Sequence, residues 1–137
     1  MADLSVNTTI VSLTNGVSSV EQVTYGDTIT QGMVLYEDSS DSNKYKKAVN
    51  NTATLAAAKA IALTPGATGE KGYVVKSGEI DLGATLAVGM RYFVSNTAGA
   101  ICPSADIGTG EYVTLIGIAT AAGVLKVSFN AAGIASA

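Results

Sequence analysis

Short apolar runs separated by glycines and polar clusters recur along the whole chain, and almost none has the i, i+3, i+4 spacing of an amphipathic helix. Residues 20–25 alternate approximately and follow Asn15-Gly16, the strongest short turn signal present, so the pattern predicts a strand there. Met33-Val34-Leu35-Tyr36, residues 72–78, residues 91–95, residues 111–119 and residues 123–129 read as further strands bounded by turn residues. Glu79-Ile80-Asp81-Leu82 alternates cleanly, which places Ile80 and Leu82 on one face and sends both acids to the other. Asn51-Thr52 can cap Thr54-Leu55-Ala56-Ala57-Ala58-Lys59, and Ala60-Ile61-Ala62 is strand-like, so one helical turn followed by a strand is expected. Residues 37–47 and 102–106 are expected to be loops, the first for its Asp-Ser-Ser-Asp-Ser-Asn centre and the second for Pro103. Turn signals at intervals of roughly eight to twelve residues define a mainly β chain, a small β-sandwich or barrel with at most one short helix near 52–59.

One stretch occurs twice. Gly26-Asp27-Thr28-Ile29-Thr30-Gln31-Gly32-Met33-Val34-Leu35-Tyr36 lies over Gly83-Ala84-Thr85-Leu86-Ala87-Val88-Gly89-Met90-Arg91-Tyr92-Phe93, 57 positions on, with no gap. At the same offset Ala60-Ile61-Ala62 falls on Gly117-Ile118-Ala119. Each copy joins a turn signal to a short apolar run, the pattern of one β-unit used twice. Two copies are too few for a solenoid, so they fit pseudo-symmetric halves of one domain. The expected organisation is an extended N-terminal arm over residues 1–19 and a single mainly β domain over 20–137, with the repeat at about 26–62 and 83–119.

Composition narrows the function. Only 14% of residues are charged and mean hydropathy is +0.34, well below the roughly 25% charge of an ordinary soluble domain. Such weakly charged faces fit a subunit covered by copies of itself or by a larger assembly. A net charge of −3 argues against nucleic-acid binding, which needs a clustered basic face, and Lys44, Lys46 and Lys47 read as a solvated loop beside Glu37, Asp38 and Asp41. No apolar stretch is long enough to span a bilayer, and the N-terminus shows no secretory signal. The sequons Asn7-Thr8-Thr9 and Asn50-Asn51-Thr52 are then expected to carry no modification. Cys102 is the only cysteine, so no internal disulfide forms, and it is expected to be a small packed side chain.

With no histidine and no tryptophan, the chain lacks the commonest general base and metal ligand, and no enzyme is expected. Glu79 and Asp81 share a strand but face solvent. Gly108-Thr109-Gly110 is a turn without the Gly-Lys-Ser or Gly-Lys-Thr of a phosphate loop. Asp38, Asp41 and Asn43 lack the mid-loop glycine and terminal glutamate of a calcium loop, so neither metal nor cofactor is expected. Tyr36, Tyr92, Phe93 and Tyr112 sit at strand positions suited to burial. Tyr45, between Lys44 and Lys46, is the aromatic residue expected to make an exposed contact. In the arm, Leu4, Val6, Ile10 and Val11, with the β-branched run Thr8-Thr9-Ile10-Val11, are expected to lend a strand to a partner.

The second half, from Gly83 through Gly89-Met90-Arg91-Tyr92-Phe93, Cys102-Pro103 and Gly110-Glu111-Tyr112 to Gly117-Ile118-Ala119, resembles the capsid decoration (cement) proteins of tailed bacteriophages. The likeness runs upstream through Ala57–Ala62 and Gly72-Tyr73-Val74-Val75, covering roughly residues 50–130. It implies a mainly β domain that assembles as a homotrimer on the outer surface of an icosahedral head and bridges major capsid proteins. It also implies a virion location, after assembly in the host cytoplasm. Similar glycine-punctuated β-modules occur in phage head and tail fibres, so a trimeric fibre module or host-surface adhesin is the alternative. In that case the loops at 38–47 and 98–106 would carry recognition.

Overall fold

The β-branched and aromatic runs do become strands. The computed structural model describes Ser12–Leu13, residues 19–83 and residues 86–136, which build one curled antiparallel sheet in the form of a half-barrel. In chain order the strands are β1 (Ser12–Leu13), β2 (Ser19–Thr24), β3 (Val34–Asp38), β4 (Lys44–Lys47), β5 (Ala58–Ala62), β6 (Lys71–Asp81), β7 (Arg91–Val94), β8 (Ile101–Pro103), β9 (Tyr112–Ala121) and β10 (Val124–Ala135). The helix α1 (Ala53–Ala56) precedes β5, and a 3-10 turn (Ser104–Asp106) follows β8. The Thr52 hydroxyl caps α1 by accepting from the Leu55 N–H at 3.2 Å. The helix is shorter than its alanine run, because Ala58 and Lys59 are drawn into the β5 ladder.

The strand order β4-β3-β5-β6-β10-β9-β7-β8 is a palindrome about the β6–β10 pair. Its two halves share their hydrogen bonding at the offset seen in the sequence. Val34, Leu35 and Tyr36 pair with Ile61, Ala60 and Ala58; Arg91, Tyr92 and Phe93 pair with Ile118, Gly117 and Leu115, and both ladders skip one residue at the same point. Gly32 N–H donates to Ala62 O at 2.8 Å, and Gly89 N–H donates to Ala119 O at 2.8 Å. Gly32 and Gly89 have φ of 83° and 84°, a left-handed conformation that excludes most other residues and explains a glycine in both places.

Two apolar clusters form. The larger joins the halves through Val34, Ile61, Val75, Ile80, Tyr92, Ile116 and Leu125; the smaller lies on the other side of the first half, around Tyr25, Ile29, Leu35, Tyr45 and Val74. Val75 and Ile80 point into the same cluster although they stand an odd number of positions apart on one strand. The period-two alternation is broken between them, where Gly78 takes φ 102° and the β2 register skips Lys76. Asn50 stitches the halves together. Its Nδ2 donates to Val94 O at 3.0 Å, its N–H to Ser95 O at 3.1 Å, and its carbonyl accepts from Tyr112 N–H at 2.7 Å.

Two expected loops are in part strands. Residues 37–47 form the end of β3, a tight turn with Ser42 and Asn43 at positive φ, and β4, whose Tyr45 enters the smaller cluster while its lysines flank outward. Pro103 closes β8, which lies at the end of the sheet order, the edge position where a residue without an N–H is tolerated.

Candidate interaction surface

Four of the five expected contact residues, Leu4, Val6, Ile10 and Val11, lie outside the described residues. Ser12 and Leu13 pair with Asp81 and Ile80, and β2 continues along the same strand β6. Tyr45, the fifth, is not the exposed aromatic expected: it is only 2% exposed. Alternation along β4 turns its ring inward against Tyr25 and Leu35, and the Lys76 ammonium closes over it at 5.6 Å from the ring centroid. That ammonium also meets Glu21 Oε2 at 2.8 Å, and both partners hold Lys76 well above the usual lysine range.

The acidic hairpin is internally neutralised. Lys46 Nζ lies 2.8 Å from Asp38 Oδ2 and 3.0 Å from Asp41 Oδ2, so an ammonium already occupies the place between the two carboxylates. Hydrogen bonds from Lys46 and Ser40 hold the Asp38 carboxyl down at about 2. Asp41 is lowered by the same lysine and by Lys44. Among the described residues, no three His, Cys, Asp or Glu side chains gather as metal ligands do. No helix there is long and apolar enough to cross a membrane. Cys102 is buried, with its thiol 3.8 Å from Val94 O.

The surface that offers contact is the outward face of the second half. Direct pairing across β7, β9, β10 and β6 places Arg91, Ile118, Lys126 and Glu79 in one row on the same side of the sheet. A second row carries Phe93, Leu115 and Asn130. Ile118 is 41% exposed, Phe93 and Leu115 are half-buried, and Arg91 is exposed. Arg91, Phe93, Gly89 and Ser104 line a shallow cleft of about 190 Å³. The Thr120 hydroxyl donates to Glu79 Oε2 at 2.8 Å, fixing the acid at the far end of the first row.

Other exposed apolar side chains lie elsewhere: Val20 on β2 and Tyr73 on β6, Val88 and Met90 on the turn before β7, and Ile134 near the end of β10. Sequence reasoning placed Phe93 in the core and left Arg91 and Ile118 unremarked. The signal was present in the repeat, where Arg91 falls on an apolar residue, Val34. No family model, curated protein or solved structure matches the chain.

Proposed function

We propose that this protein is a structural subunit of a phage head, a decoration protein that binds the outer surface of the shell as a homotrimer and stabilises contacts between major capsid proteins. The observation that carries the reading is the outward sheet face of the second half, where Ile118, Phe93 and Leu115 meet solvent in place of the polar side chains that an exposed antiparallel face ordinarily shows. A face of that kind works by contact, and the resemblance of residues 50–130 to capsid decoration proteins supplies the partner and the trimer. Many copies on one shell turn modest individual interfaces into large avidity, so no single contact has to be tight. The N-terminal arm, with Leu4, Val6, Ile10 and Val11, adds a strand to an edge on the shell or on a neighbouring subunit.

Purified protein mixed with undecorated heads should co-sediment with them to saturation, and light scattering of the free protein should give three times the 13.8 kDa chain mass. Removing residues 2–13 should abolish co-sedimentation while the circular dichroism spectrum of the sheet persists. Wild-type protein that stays in the supernatant refutes the reading. Binding to cells or glycans in place of heads favours a fibre module or adhesin.

A further inference from the structure

Each half of the sheet has two faces, and the 57-residue offset allows them to be compared position by position. In the first half, Leu35, Ala60 and Ala62 face the smaller cluster, while Val34, Tyr36, Ala58 and Ile61 face the larger one. In the second half, the equivalents of the first set, Tyr92, Gly117 and Ala119, are buried, with Tyr92 and Ala119 in the larger cluster. The equivalents of the second set are Arg91, Phe93, Leu115 and Ile118, the outward face. Among the described residues, three of the four faces are therefore closed by the chain itself, and the fourth is open.

Its composition is not that of a solvated face. Of four positions whose counterparts are core residues, three keep large apolar side chains, and Leu115 is larger than the Ala58 it corresponds to. Only one has become charged, and it holds the single arginine of the chain. Four lysines of the first half are engaged, Lys44 by Asp41, Lys46 by Asp38 and Asp41, Lys59 by Glu37 and Lys76 by Glu21. Arg91 makes no ion pair among the described residues, and it stands beside Phe93 at the mouth of the cleft. Arginine is among the residues that carry most binding energy in protein interfaces, and aromatic side chains such as phenylalanine are enriched there. Lys126, on the other side of Ile118 in the same row, adds a second positive charge.

We infer that this face docks on the shell through Arg91 and Ile118, and that the surface it meets is a protein patch bearing a carboxylate set among apolar side chains. The inference rests on the head-decorating role proposed above. The carboxylate takes the planar fork of Arg91, a geometry that lysine cannot supply, and the apolar neighbours cover Ile118 and the exposed edge of Phe93.

The experiment measures the protein concentration that half-saturates undecorated heads in co-sedimentation, for the wild type, Arg91→Glu, Arg91→Lys, Ile118→Asp and Lys71→Glu. The last makes the same change of net charge as Arg91→Glu on an exposed residue of the first half. Arg91→Glu and Ile118→Asp are expected to raise that concentration about 30-fold or more, Arg91→Lys by an intermediate factor, and Lys71→Glu by less than about 2-fold. All the altered side chains are exposed, so thermal melts and the copy number by light scattering should match the wild type. Arg91→Glu or Ile118→Asp binding like the wild type, or no more weakly than Lys71→Glu, overturns the docking face and leaves the decoration role standing. A changed copy number overturns it by making the face an interface between copies. A wild type that ignores heads overturns both proposals.

Discussion

Gly72 is the position at which a single methyl group should do most damage. A Cβ built there would sit 2.4 Å from Cε2, Cζ and the hydroxyl oxygen of Tyr25, and one at Gly66 would come within 2.7 Å of the same ring. The ring has little freedom to retreat. It is fully buried, its hydroxyl donates to Thr64 O at 2.6 Å, and its backbone is held by bonds to Glu70 O and from Gly69 N–H, both at 2.8 Å. Gly72→Ala should therefore cost about 1–3 kcal/mol in overpacking and about 1 kcal/mol for a displaced hydrogen bond. Reduced freedom of the unfolded chain offsets about 0.4–1 kcal/mol of this. A net loss of about 2 kcal/mol corresponds to a fall of about 1 M in the urea midpoint, at an m-value of about 2 kcal/mol/M. The decisive measurement is a cycle with Tyr25→Leu: removing the ring relieves the clash, so the double variant should be more stable than the sum of the singles by about 1 kcal/mol or more. Additive effects, or a Gly72→Ala protein as stable as the wild type, would refute the reasoning.

Gly78→Ala should destabilise by about 1–3 kcal/mol, because φ 102° is not accessible to alanine without strain; an unchanged midpoint in the same urea titration would show that β6 does not need its irregularity. The Asp38 carboxyl, followed by NMR through an acid titration, should titrate at about 2 against an ordinary 3.8, and Lys46→Ala should raise it part of the way back, since Lys46 is the largest cause and both Ser40 hydrogen bonds remain. With its folded value depressed, Asp38 contributes hairpin stability in full above pH of about 4 and loses it as pH falls toward about 2, more in the wild type than in Lys46→Ala. An Asp38 midpoint near 3.8 in the wild-type protein would contradict this.

Much of the architecture could be read from the residues alone, and what could not has physical causes. The mainly β class, the helical turn before β5 and the burial of Ile80 and Leu82 follow from local periodicity, which the fold obeys at those places. Tyr45 escaped because a polar-rich hairpin hides its inward position: the lysines beside it are the alternate, outward residues of a strand, and composition registers their charge before their period. Pro103 escaped because its exclusion applies to central strands, and only the sheet order shows that β8 is at an edge. Gly72 and Gly78 looked like the bounds of one strand, yet β6 runs through both from Lys71 to Asp81. The outward face was hidden for a different reason, since burial at Phe93 and Ile118 depends on which half of the sheet closes over the other.

At that closure the two halves differ in the length of one connection. Residues 63–70 link β5 to β6, and they are long enough to wrap across the first half, where Gly66 exchanges hydrogen bonds with Ile29 and Glu70 O accepts from Tyr25 N–H. Only Ala122 and Gly123 link β9 to β10. The corresponding face of the second half is covered instead by the first half, with Leu86 in the role of Ile29, 57 residues on. One end of the stack is thus capped by its own loop and the other ends in an uncapped sheet, as the terminal unit of a repeat array would without its polar cap. The molecule is polar in this sense: among the described residues the uncapped end is the Arg91 and Ile118 side, so a partner that continued the stacking would meet that side and leave the capped side around Tyr25 facing away from it.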